Sequence, residues 1–317
     1  MNNLFTISSS PHIHTPKSVS SCMWSVILAL VPACLCALYF FGLGAFVVLI
    51  TSVSGCIITE YLIQRFMLKG EPTIYNVSAI LTGILLALSL PSNLPFWIVL
   101  IGAVVAIGIG KMAFGGLGNN IFNPALVGRV FLLISFPSQM TSWPLPLDNR
   151  MEYLDASTGA TILGQLKMNE IPYDGINITD LIIGNTGGSL GEISALAIII
   201  GFIYMLYKRI ITWHIPLSII FTVFLFSICI GTNPWIGILS GGLLLGAVFM
   251  ATDYVTSPMT HAGMIVYGVM IGVITIIIRT WGAYPEGVSF AILIMNGLTP
   301  LINRYIKPVR YGERRTV

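Results

Sequence analysis

The hydroxyl-rich decapeptide LDASTGATIL, residues 154–163, stands in a chain that is otherwise nearly all apolar. Thr161 follows Gly159 and Ala160, so its hydroxyl is approached over backbone with almost no side-chain cover, as at a site presented to a modifying enzyme. A plainer role is open to the same stretch, because Asp155 and Thr158 are turn formers whose oxygens bond nearby backbone N–H groups. Three ionisable residues, Glu60, Arg129 and Asp253, fall within or beside apolar runs, where charge is expensive and often functional. Glu60 and Arg129 read equally well as satisfied structural or interfacial charges. Asp253 and Thr256 belong to MATDYVTSPMTHAG (250–263), and Asn120 and Asn123 to FGGLGNNIFNP (114–124). Both stretches interrupt apolar runs after a short hairpin, which suggests a weak internal repeat. Interruptions of this kind free backbone groups that need a ligand or cavity water, although plain polar loops have the same composition.

The five cysteines, Cys22, Cys34, Cys36, Cys56 and Cys229, form no CxxC pair and read as packing residues. Cys34 and Cys36 are the one spacing that invites a cluster shared with a partner.

The elements that must position these groups follow from composition. The 317 residues are 56% hydrophobic and 9% charged, against about 25% charged in soluble domains, so the chain is an all-α polytopic membrane protein. Lys and Arg sit in short segments between apolar runs and form no basic face, which excludes nucleic acid as a partner. Residues 1–20 are polar, with His12, His14 and Lys17, and the run that follows is too long for a cleavable signal peptide.

A helix needs about 20 apolar residues to cross about 30 Å of hydrocarbon. About ten spans fit, near 22–41, 44–66, 76–91, 95–112, 121–137, 191–208, 212–231, 234–251, 262–279 and 286–304. With the N-terminus inside, eleven Lys and Arg residues, Lys111 among them, fall in cytoplasmic segments. Only Arg150, Lys167 and Arg279 fall outside, a split that supports the orientation. The chain then divides into a cytoplasmic tail (1–21), a first membrane half (22–137, helices 1–5) and one large external loop (138–190). A second membrane half (191–304, helices 6–10) and a basic cytoplasmic tail (305–317) complete it, with both termini cytoplasmic. The turn-like flanks PSQMTSWPLP and GNTGG frame the external loop as a small cap carrying the opening motif.

The motif D-x-x-(S/T)-G-A-T, here Asp155, Thr158, Gly159, Ala160 and Thr161, resembles the acceptor at which a flavin transferase joins FMN through its phosphate to threonine. SSSPHI (8–13), AILTGILLALSLPSNLPFW (79–97), FGGLGNNIFNPALVGRVFLLISFP (114–137) and GAVFMATDYVTSP (246–258) resemble RnfD, a membrane subunit of the Rnf ion-translocating electron transport complex, across essentially the whole chain. The related NqrB of the sodium-pumping NADH:quinone reductase is similar but carries a longer N-terminal extension. Ala156 departs from the Gly common in these families, and Tyr254 stands where many relatives have Pro.

The resemblance implies a subunit of an ion-translocating oxidoreductase of the ferredoxin:NAD type, not catalytic alone, in a bacterial or archaeal cytoplasmic (inner) membrane. It implies covalent FMN on Thr161 and iron–sulfur, second FMN-carrying and NAD-binding partner subunits, with membrane lipid around them. Electrons from ferredoxin reach this FMN at the outer side and return across the membrane, a crossing long for one hop. Relatives therefore suggest a second, non-covalent flavin, riboflavin, near the cytoplasmic half, with Asn120, Asn123 and Thr256 as contacts and Asp253 as an ion or coupling residue. The coupling ion, Na+ or H+, is not legible. The competing class is a flavin-free solute transporter, which broken helices would suit equally well.

Overall fold

A computed structural model of the chain describes residues 18–69, 74–147, 151, 153–154, 158–159, 161–168, 178–184, 186–282, 284 and 286–307. The described residues are mostly helical. Four helices are long and apolar enough to cross a membrane: α1 (Val19–Phe41), α2 (Leu43–Leu62, prolonged by a π turn at Ile63–Met67), α4 (Phe96–Gly108, reaching Phe114 through a 3-10 turn) and α13 (His261–Trp281). Shorter apolar helices lie among them: α3 (Ser78–Leu88), α5 (Pro124–Ser135), α9 (Ala195–Tyr207) and α10 (His214–Ile230). The more polar α14 (Val288–Tyr305) closes the bundle.

Small residues set the helix spacing, as expected where the surrounding lipid is as apolar as the helices themselves. On the α13 face against α10, a Cβ placed on Gly272 would lie 2.7 Å from Thr222 Cβ, so the backbones meet where only hydrogen fits. At 11 residues, α3 spans about 16 Å, half the hydrocarbon thickness. The chain turns back at its end, where Gly191 N–H donates to Leu88 O at 2.6 Å and Leu190 N–H to Leu90 O at 3.1 Å.

The expected span at 234–251 is a broken helix. α11 (Pro234–Leu239) stops at Ser240, and α12 (Leu243–Leu245) resumes after Gly241 and Gly242, at φ +73° and +63°, running into a π turn at Gly246–Met250. Glycine reads as apolar in a hydropathy scan, which is why the break was hidden. Its exposed backbone groups are met by charge: Gly241 N–H donates to the Glu192 carboxylate, and the Arg279 guanidinium donates to Gly237 O and, at 3.0 Å, to Ser240 O. Arg279, expected in solvent outside, is instead half-buried in this role.

The described parts of the segment after α5 are tied down. α6 (Pro137–Met140), the strand pair β1 (Trp143–Pro144) and β2 (Thr158–Gly159), α7 (Ile162–Lys167) and α8 (Ile178–Ile183) form a cap on one end of the bundle. Leu147 N–H donates to Phe40 O at 3.0 Å, Asn93 Nδ2 to Ser142 Oγ at 3.2 Å, and the Tyr153 hydroxyl to Leu94 O.

Candidate functional site

The antiparallel pairing Trp143↔Gly159 and Pro144↔Thr158 lays the threonine motif against the chain leaving α6. A Cβ on Gly159 would meet Leu145 at 3.1 Å, so the pairing favours the residue present. Thr158 is exposed; Asp155 and Ala160 lie outside the described residues. Two residues beyond the strand, Thr161 takes extended backbone (φ −63°, ψ 156°) and caps α7, its hydroxyl oxygen accepting from Gly164 N at 3.1 Å.

Thr161 is only 4% exposed, which corrects the expectation of an uncovered hydroxyl. Together with Arg129, Met140, Trp143, Tyr284 and Glu286, Thr161 lines a cavity of about 290 Å³ at the cap end of the bundle. Aromatic walls, a buried cation and the threonine oxygen in one cavity suit an aromatic group attached through phosphate, so these residues fit the expected cofactor. A capping oxygen keeps its acceptor lone pairs when its proton is replaced, and the cap is compatible with an ester.

Arg129 and Glu286 form a buried ion pair, with side chains 7% and 9% exposed. Arg129 Nε and Glu286 Oε1 have no hydrogen-bond partner among the described residues. Glu60 is paired too, accepting from Lys111 Nζ at 2.6 Å, while Lys111 also donates to Ser78 Oγ at 2.7 Å. Lys111, expected in a cytoplasmic loop, is thus buried (2% exposed), because the turn after α4 folds it inward toward α2.

The two sequence interruptions converge at the end of the bundle opposite the cap. Asn123 caps α5, accepting from Ala125 N at 3.1 Å, and donates through Nδ2 to Met250 O at 3.1 Å. The Asp253 carboxylate accepts from Asn120 and Thr256 side chains and from the Tyr254 and Val255 amides. Asp253 lies in the loop between the π turn and α13, and loss of hydration outweighs these bonds, raising its pKa above the ordinary carboxylate value. Asn120, Asn123 and Asp253 line one cleft with Lys111, Phe249 and Tyr254. Thr256 does not line it; its hydroxyl bonds Asp253 at 3.4 Å and its carbonyl accepts from Thr299 at 2.9 Å, so it braces the carboxylate from behind. The cleft offers about 80 Å³ to water centres, room for several waters at about 10–15 Å³ each. A ring system requires its walls to part.

Sequence reading missed Lys111, Glu192, Arg279, Glu286, Trp143 and Tyr284. Their signal was weak because each acts on an element far away in the chain. Cys34 and Cys36 are free and half-buried on α1. Residues two apart on a helix do not face each other, so they offer no shared ligand face.

The fold and its two polar sites define a polytopic membrane protein with a covered threonine at one end and an amide-and-carboxylate cleft at the other. The chain belongs to the NQR2, RnfD, RnfE family, whose model matches residues 6–312. It is 47% identical over 316 residues (98% of this chain, 97% of the relative) to the D subunit of the Na(+)-translocating ferredoxin:NAD(+) oxidoreductase complex of Acetobacterium woodii. It is 42% identical over 328 residues (99% and 98%) to the D subunit of the proton-translocating ferredoxin:NAD(+) oxidoreductase complex of Clostridium ljungdahlii. To the D subunit of an ion-translocating oxidoreductase complex of Escherichia coli it is 38% identical over 350 residues (98% and 99%).

Proposed function

We propose that the chain is the flavin-carrying membrane subunit of a complex that couples electron transfer between ferredoxin and NAD to translocation of sodium or protons. The placement of Thr161 carries the reading: a threonine within the motif's Gly-Ala-Thr sequence whose oxygen caps α7 on the wall of a cavity bordered by Trp143, Tyr284 and the Arg129 guanidinium. Relatives at 38–47% identity that are named as D subunits favour this over the NqrB protein of a quinone reductase.

A flavin transferase replaces the Oγ1–H bond of Thr161 with an Oγ1–P bond. The pyrophosphate of a flavin dinucleotide donor breaks, and adenylate and a proton leave. FMN held there would supply two-electron uptake and one-electron release, chemistry that no side chain here supplies. Thr161 would fix it to the cap, on the external face in this reading, and Trp143, Met140 and Tyr284 would shield it from water. On the cytoplasmic side, Asn120 and Asn123 line the cleft that would receive a second, non-covalent flavin once its walls part, and Asp253, braced by Thr256, would hold the coupling ion or its proton.

With Thr161 4% exposed, the transferase must act before the cap folds over it or when the cap opens. The test is the assembled complex bearing Thr161→Ala or Thr161→Ser. Ferredoxin-dependent NAD reduction is expected to vanish in the first and persist in the second; equal activity in both would overturn the reading.

A further inference from the structure

We propose that Arg129 is the positioning residue for the phosphodiester on Thr161, with Glu286 as the counter-ion that holds its guanidinium in register. This rests on the functional reading above. The two residues come from separate elements, α5 and the turn before α14, and both line the Thr161 cavity.

Three observations carry the argument. Arg129 is 6% exposed, in the apolar surroundings of Leu133, Met140 and Trp143, a costly place for a cation unless its donors are used. Only part of its hydrogen-bonding capacity is met, since its Nη2 donates to Glu286 Oε2 while Nε has no partner among the described residues. Glu286 likewise leaves Oε1 without a partner among the described residues, so the pair is not a closed bidentate fork. A buried pair that exists only for stability is expected to use both edges. This one leaves Nε over among the described residues, on a side chain that lines the same cavity as Thr161.

The charges also suit an added anion. Glu192 and Arg279 sit at the adjacent helix break, and Glu192 interacts electrostatically with both Arg129 and Glu286. Two arginines and two glutamates are neutral together; the single negative charge of a phosphodiester needs a directed donor more than further bulk charge. A planar guanidinium supplies parallel N–H groups matched to phosphate oxygens, and an ammonium does not. Arg129 thereby selects a phosphate-bearing flavin over one without phosphate at this cavity.

The experiment is co-expression of the full chain with its transferase at limiting enzyme, scoring covalent flavin per protein by fluorescence after denaturation. Three proteins are compared: wild type, Arg129→Lys, and the paired substitution Arg129→Gln with Glu286→Gln, which removes both charges and leaves no lone buried ion. The paired variant is expected to load at least about tenfold more slowly and Arg129→Lys about threefold to tenfold more slowly. Arg129→Lys keeps the ion pair, so it decides the matter if the paired variant fails to fold. Material loaded to completion gives a second readout, a phosphorus resonance displaced from that of wild type in Arg129→Lys. Wild-type loading rate and resonance in Arg129→Lys, or wild-type loading in a folded paired variant, would overturn the proposal. Wild type without covalent flavin would instead overturn the reading on which it rests.

Discussion

Replacing Lys111 by Met leaves the Glu60 carboxylate in a place it cannot be solvated. The two side chains are 3% and 1% exposed and meet at 2.6 Å. Without the ammonium, Glu60 keeps, among the described residues, a 3.3 Å bond from Gln64 Nε2 on its own helix. Breaking a buried pair by removing one partner costs about 3–5 kcal/mol, whereas replacing the whole pair by uncharged residues is often neutral. Domains have about 5–15 kcal/mol of stability in total, so Lys111→Met is expected to consume a large share of it. The double variant Glu60→Gln with Lys111→Met should recover most of the loss. Only the bond from Lys111 to Ser78 and any repacking strain stay uncompensated. The assay is thermal unfolding of the purified full chain in detergent for wild type, both single variants and the double variant. A double variant less stable than either single one would refute the reasoning, because it would mean that the two charges act independently.

Gly272→Val forces a side chain into the 2.7 Å gap to Thr222 between α13 and α10 and should cost about 1–3 kcal/mol, read as reduced yield and a lower unfolding temperature in detergent. Asp253 has a raised pKa through burial, so it binds its proton more tightly in the folded than the unfolded chain. Its contribution therefore favours the fold at low pH and is lost as pH rises from the ordinary carboxylate value through the folded one. Asp253→Asn should abolish that decline, giving a flatter profile of unfolding temperature against pH, while lowering ion-coupled activity and leaving covalent flavin intact. A wild-type profile in the variant would remove the electrostatic argument.

Much of the bundle was legible because run length is the dominant signal in a membrane chain. The convergence of Asn120, Asn123 and Asp253 was foreshadowed by two similar interruptions, and Asn123 before Pro124 is a local helix-start signal. What stayed hidden depends on contacts across the sequence. The break at Gly241–Gly242 is held by Glu192 and Arg279 from elements on either side of it in the chain. Lys111 looked like a loop cation until the turn after α4 carried it to Glu60. Thr161 looked bare because its neighbours are small, yet it is buried, on a cavity that Trp143 before it and Tyr284 long after it also line. Period and composition read an element's own residues; they do not read which distant side chain covers it.

The central claim is tested most directly by proteolysis of the mature chain and mass measurement of the peptide containing Thr161. A peptide heavier by FMN less one water, with fragmentation placing the added mass on Thr161 and its absence in Thr161→Ala, is the result expected. An unmodified peptide from protein matured beside an active transferase would contradict it.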